Sequence, residues 1–346
     1  MREHALDSAV KLASNENPFD PLPAARRALA DAADELNRYP DHRATAVREA
    51  LAGRFGRTAD EIAVGCGSVG LLQQLMLTYV DPGDEVVYGW RSFEAYPIYT
   101  QTVGGVIVAV PNRADEHLDM AGITAAVTIT TKVVMVTSPN NPTGTTVMHA
   151  DMVALMGATP PSTLVVLDEA YHEYITAPDA PRALELQAQH PNLVVLRTFS
   201  KAYGLAALRI GYLVGHADVV AAVDRVLIPF AVNGFAQRAA VASLAAQHEL
   251  DERVRATLAE RDRVVAEIAG LGIPSPDAQA NFVWLPVGEP ALALAAELEG
   301  RGVVTRPFAV EGVRVTIGTP AENDRFLAAI ASLVEPLGLR GPATTA

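Results

Sequence analysis

A chain of 346 residues, half of them apolar, is long enough to bury a large core and too short for three ordinary domains, so a large domain with a smaller companion is the default. Its formal net charge of -13 argues against the basic surface that nucleic-acid or anionic-membrane binding needs, leaving small molecules or a second copy of the chain as partners. One cysteine, Cys66, excludes an intrachain disulfide, no CxxC or HExxH spacing suggests a metal, and no apolar run reaches the ~20 residues of a membrane span.

Met1-Arg2-Glu3-His4 has no apolar stretch behind a basic one, so a cytoplasmic protein is expected. The segment up to Pro23, with Asn15-Glu16-Asn17-Pro18-Phe19 and several prolines, reads as an extended arm of the kind that reaches a partner. An Ala-rich helical pattern covers about 23–36. The turn Arg38-Tyr39-Pro40-Asp41 then puts Tyr39 on a loop, and a second helical stretch runs through Ala52. Residues 61–64 form a short strand candidate, followed by Gly65-Cys66-Gly67-Ser68-Val69-Gly70 and a helical run over 71–80. Strand, glycine turn and helix start in that order make an anion site.

Short buried strands are predicted at 85–88, 106–110, 132–137, 163–167 and 192–196, several of them separated by helical stretches. That alternation predicts an α/β fold with a mostly parallel sheet. A long helical region over about 233–270 precedes strand-like segments at 279–285 and 312–317. The expected division is an arm and helix over 1–35 that pack with the small domain and the partner, a large domain over 36–250, and a small α+β domain over 251–346.

Four polar signatures follow buried strands, where open α/β sheets hold their ligands. They are Ser138-Pro139-Asn140-Asn141-Pro142-Thr143-Gly144, then Asp168-Glu169-Ala170-Tyr171, then Thr198-Phe199-Ser200-Lys201-Ala202-Tyr203-Gly204, then Arg209. Lys201 after a buried strand needs a partner or a lowered pKa; alone, a snorkelling lysine is the commoner reading. Asp168, emerging from Leu164-Val165-Val166-Leu167, demands a cationic partner, although a helix N-cap is the commoner role for an isolated aspartate. Arg314, in the apolar strand Gly312-Val313-Arg314-Val315-Thr316-Ile317, demands an anion.

At these residues the sequence resembles the fold-type I aminotransferases dependent on pyridoxal 5′-phosphate (PLP), and among them the histidinol-phosphate and aromatic aminotransferase branch, from Asn15 to about Phe326. The resemblance implies that Lys201 tethers the cofactor as a Schiff base and, once released, shuttles a proton. It implies that Asp168 pairs with the pyridine nitrogen, that Asn141 and Tyr171 hydrogen-bond the phenolic oxygen, and that Phe93 stacks on the ring. Ser68 and Val69 backbone N–H groups, Ser200 and Arg209 would take the phosphate, with Tyr39 reaching the phosphate of a neighbouring subunit in a homodimer. Arg314 would clamp the substrate α-carboxylate, with Asn15 and Phe19 also at the substrate. Relatives usually carry glycine where this chain has Ala207.

The implied reaction moves the amino group of an L-α-amino acid to 2-oxoglutarate. Gly65-Cys66-Gly67-Ser68-Val69, Gly89-Trp90-Arg91-Ser92-Phe93-Glu94 and Pro229-Phe230-Ala231-Val232 look more like actinobacterial aromatic (phenylalanine) aminotransferases than like histidinol-phosphate enzymes. The expectation is therefore an aromatic donor (Phe, Tyr or Trp) giving an aromatic 2-oxo acid and L-glutamate, with Phe19, Trp90 and Phe230 as an apolar wall for its ring. Histidinol-phosphate aminotransfer is the alternative. A threonine-phosphate-type decarboxylase is a more distant one, and the acidic charge argues against a PLP-sensing regulator of transcription.

Overall fold

A computed structural model describes residues 9–341. Strand β1 (Val10–Lys11) opens the described chain. The strands β2 (Ile62–Gly65), β3 (Glu85–Trp90), β4 (Val106–Pro111), β5 (Thr131–Thr137), β6 (Leu164–Asp168), β7 (Leu193–Thr198) and β8 (Gly211–Val214) form one sheet in the order β2-β8-β7-β6-β5-β3-β4. All neighbours from β4 across to β7 pair in parallel, whereas β8 runs antiparallel to both β7 and β2. Six of these strands lie within one or two residues of their expected places; β8 was not expected.

Helices cover both faces of this sheet, which is why its central strands are apolar throughout rather than alternating. Along β7, Leu193 and Val195 enter the core beneath the helices Thr45–Phe55 and Gly234–Ala245, while Val194 and Leu196 enter the core beneath Gly67–Tyr79. Successive side chains on opposite faces thus serve two cores.

A second sheet of β9 (Phe282–Leu285), β11 (Arg306–Phe308) and β12 (Gly312–Thr316) is antiparallel in the order β11-β12-β9, and β10 (Val303–Val304) pairs in parallel with β1. Val283, Leu285, Val313 and Val315 build its core with Leu12, Val264, Ile268 and Phe326. Arg314 and Thr316 therefore occupy the opposite face of β12 and point toward the larger sheet.

The helical region expected over 233–270 is two helices, Gly234–Ala245 and Gln247–Gly270, separated at Ala246. Leu250 lies in the larger sheet's core, while Val264 and Ile268 lie in the smaller one's. The arm and the first helix join different cores. Leu12 belongs to the smaller core, but the helix Pro23–Ala32 lies on Gly234–Ala245, with Leu22 and Ala25 in the larger core. Residues 1–8 of that expected segment lie outside the described residues. Among the described residues no helix is long and apolar enough to cross a membrane.

Candidate active site

A cavity of about 420 Å³ opens where the carboxyl ends of the parallel strands meet the second sheet. One end is formed by the turn after β2. The helix Gly67–Tyr79 begins there with no side-chain cap, so its first backbone N–H groups, among them those of Ser68 and Val69, face the cavity. Gly67 has φ +72°, and a Cβ on it would lie 2.6 Å from Arg209 Nη2. A Cβ on Gly211 would lie 2.3 Å from the Ser68 nitrogen. Two glycines thus permit the close approach of a helix terminus and a guanidinium.

Arg209 reaches this end because β8 runs antiparallel, so its first residue, Gly211, sits opposite Gly65 and Thr198. Its Nη1 donates to the Ala206 carbonyl at 2.8 Å and to Ser200 Oγ at 3.4 Å. Helix-terminal N–H groups, a hydroxyl and a guanidinium converging without a carboxylate among them suit a phosphate monoester. The residues present fit that part of the expected cofactor.

Lys201 follows β7, and its Nζ donates to the Ser14 carbonyl at 3.3 Å, 5.6 Å from the Tyr171 ring centre. Burial pulls its pKa down to about 8, the Arg314 and Arg209 cations adding to the effect and Glu16 and Asp168 opposing it. Asp168, 4% exposed at the end of β6, accepts from the Tyr96 hydroxyl at 3.0 Å and from the Ala170 N–H at 3.2 Å. Burial pushes its carboxyl up to about 6, which those two donors only partly offset. A cation brought to this carboxylate would lower that value again, so the pocket is suited to a protonated ring nitrogen.

Asn15 ties the arm into the site. Its Nδ2 donates to the Tyr171 hydroxyl at 2.9 Å, and its Oδ1 accepts from Thr316 Oγ1 at 3.0 Å. Burial raises the Tyr171 phenol, with Arg314 and Asn15 acting in the other direction. Arg314 donates through Nη1 to Asn141 Oδ1 at 2.5 Å and through Nη2 to the Ala13 carbonyl at 2.7 Å. Among the described residues its buried Nε has no partner. Both hydrogen-bond acceptors of this guanidinium are neutral oxygens, and burial lowers its pKa; a carboxylate ligand would supply the missing charge.

The cavity brings together Asn15, Ser68, Val69, Phe93, Asn141, Asp168, Tyr171, Ser200, Lys201, Arg209 and Arg314 of the expected set. It does not bring in Tyr39, which is 81% exposed and stacks on Phe230 at 4.5 Å. Phe19 lies under Arg253 at 5.9 Å and Trp90 under Arg91 at 4.4 Å, both outside the lining, so Phe19, Trp90 and Phe230 form no wall within this chain. Sequence reasoning missed Tyr96, Thr137, Glu94 and Arg306. Tyr96 bridges Thr137 Oγ1 and Asp168 Oδ2, and Arg306 pairs with Glu94 at 2.8 Å on the cavity wall. No local pattern distinguishes Tyr96 from any buried helical tyrosine.

Residues 7–330 match the family described as "Aminotransferase class I and II". The chain is 54% identical to the aromatic amino acid aminotransferase of Thermobifida fusca, over 92% of this chain and 89% of that one. It is 50% identical to the protein of the same name from Corynebacterium jeikeium, over 96% and 90%. Among solved structures, a histidinol-phosphate aminotransferase of Sinorhizobium meliloti in complex with pyridoxal-5′-phosphate superposes with a TM-score of 0.89 at 31% identity, covering 97% of this chain and 93% of that one. An aspartate aminotransferase double mutant of Thermus thermophilus gives 0.84 at 26% identity, over 96% and 93%. Cavity, fold and relatives agree: the chain belongs to the class I and II aminotransferases.

Proposed function

We propose that this protein is a PLP-dependent aminotransferase that moves the amino group of an aromatic L-amino acid to 2-oxoglutarate, giving an aromatic 2-oxo acid and L-glutamate. The observation that carries the reaction type is the convergence of Lys201, Asp168, Arg209 and Arg314 on one cavity. The 48–54% identity to several aromatic amino acid aminotransferases supports the donor.

Bound in this cavity, PLP supplies an aldehyde for covalent attachment and a conjugated ring that delocalises charge arising at the substrate Cα. Ser68, Val69, Ser200 and Arg209 hold its phosphate, Asp168 its ring nitrogen, Asn141 and Tyr171 its phenolic oxygen, and Phe93 its ring face. Lys201 is both the point of attachment and, once free, the base that takes and returns the Cα proton; the burial that lowers its pKa suits an amine to that work. Arg314 orients the α-carboxylate in a fork of two N–H donors, with Asn15 beside it on the substrate side.

We read the protein as a cytoplasmic homodimer; the exposed stack of Tyr39 and Phe230 supports an interface there, with Tyr39 of each chain serving the other's phosphate. We further read residues 36–250 and 251–346 as the large and small domains. Arg306 on the cavity wall would pair with the distal carboxylate of 2-oxoglutarate and equally with the phosphate ester of histidinol phosphate, the alternative donor.

The deciding experiment compares kcat/KM for phenylalanine, tyrosine, tryptophan and histidinol phosphate with 2-oxoglutarate as acceptor. Aromatic donors should lead by at least tenfold. A lead by histidinol phosphate overturns the donor, and no transfer from any of them overturns the reaction.

A further inference from the structure

The Trp90-Arg91 segment has no part in the site just described, and Arg91 does not line the cavity. Its guanidinium nevertheless makes the best-formed ion pair between the two sheets' bodies. Nε lies 2.6 Å from Glu311 Oε2 and Nη2 lies 2.8 Å from Glu311 Oε1, a bidentate fork across 220 residues of sequence. Glu311 sits in the turn joining β11 to β12, the two strands that carry Arg306 and Arg314.

Two further contacts run from Arg91 to Arg314. The first is the ring of Phe308. Arg91 lies 5.4 Å from its centre and Arg314 lies 5.9 Å from it, so both guanidiniums rest on one buried ring, which Trp284 meets edge-on at 5.5 Å. The second is the Arg91 carbonyl, which accepts from Asn140 Nδ2 at 3.0 Å; the next residue, Asn141, accepts from Arg314 at 2.5 Å. Glu94 and Arg306 form the only other ion pair of this seam among the described residues, and both are about half exposed, so solvent screens them. The Arg91 and Glu311 side chains are 23% and 33% exposed.

We propose that Arg91 and Glu311 are positioning residues that seat the β11–β12 hairpin against the segment carrying Phe93, and so hold Arg314 where the substrate α-carboxylate binds. The proposal rests on the reading of Arg314 as the carboxylate clamp. The pair acts on every carboxylate ligand, donor and acceptor alike, and not on the cofactor.

Three variants of the cofactor-loaded enzyme test it: Arg91→Met, Glu311→Gln and the two combined. The dissociation constant of 3-phenylpropionate, an unreactive carboxylate, is read from the cofactor's absorbance, and hydrogen exchange is followed over residues 306–316. Each single variant should weaken the carboxylate by about tenfold, and speed exchange in the hairpin. The double variant should be no worse than either single one, and cofactor affinity should not change. KM for phenylalanine and for 2-oxoglutarate should rise together, with kcat less affected. Wild-type carboxylate affinity in both single variants, or losses that add in the double variant, overturns the pairing. If the wild-type protein transfers no amino group, the proposed function fails by itself; hairpin exchange in the three variants still decides whether Arg91 and Glu311 seat it.

Discussion

The lowered pKa of Lys201 is directly measurable, because the chain has two other lysines, Lys11 and Lys132, to serve as internal references. The perturbation is pH, applied to cofactor-free protein during brief labelling with acetic anhydride, with each lysine's modification read by peptide mass spectrometry. With a pKa of about 8 instead of 10.5, roughly a tenth of Lys201 is neutral at pH 7, against about one part in three thousand, a difference of about 300-fold. Labelling of Lys201 should therefore rise through a midpoint near pH 8. Arg314→Gln removes a cation facing the amine and should move the midpoint up; Asp168→Asn removes a favourable anion and should move it down. Both displacements should be smaller than the total shift, because burial is its largest cause. A midpoint near the ordinary lysine value would refute the burial argument, and a downward move in Arg314→Gln would refute the charge argument.

Asp168 carries a stability consequence of definite sign. Its carboxyl titrates near 6 in the folded protein and 3.8 otherwise. The folded state thus binds the extra proton between those values, and cofactor-free protein should lose up to about 3 kcal/mol as pH rises from 4 to 6; urea melts of wild type and Asp168→Asn should differ in that slope. Tyr96→Phe removes a donor to the buried carboxylate, an interaction of about 1.5–3 kcal/mol, and should weaken PLP retention by about tenfold or more in an absorbance titration, while unchanged retention would remove Tyr96 from the site. Arg314→Lys keeps the charge but not the fork, so KM for donor and acceptor should rise at least tenfold in steady-state assays. Tyr39→Phe should weaken PLP binding only if Tyr39 serves a partner's phosphate, and sedimentation of the wild type should then show a dimer.

Much of the site was legible because its residues sit within a few positions of strand ends. Ser68 after β2, Asp168 and Tyr171 at and after β6, and Ser200 and Lys201 after β7 are placed by short-range pattern: a buried β-branched run fixes the strand, and the residues just beyond it must emerge at its end. Glycines at 65 and 67 likewise signal a close approach before one is seen. The separation of one helical region into Gly234–Ala245 and Gln247–Gly270 was not legible, because neither glycine nor proline marks Ala246.

The sequence by itself determined which side chains stand at the ends of the parallel strands, since backbone propensity and hydrophobic period act over about a dozen residues. Only the tertiary structure decided what they meet. Arg209 reaches the helix start because a four-residue strand, Gly211–Val214, too short to show a period, inserts antiparallel between β2 and β7. Arg314 meets Asn141 across 173 residues, Tyr96 meets Asp168 across 72, and Arg91 meets Glu311 across 220. Such pairings are set by the packing of helix on sheet, as for Tyr96 and Asp168, and of the two sheets against each other, as for the other two; burying a charge or hydroxyl forces it to find whatever partner the fold brings near.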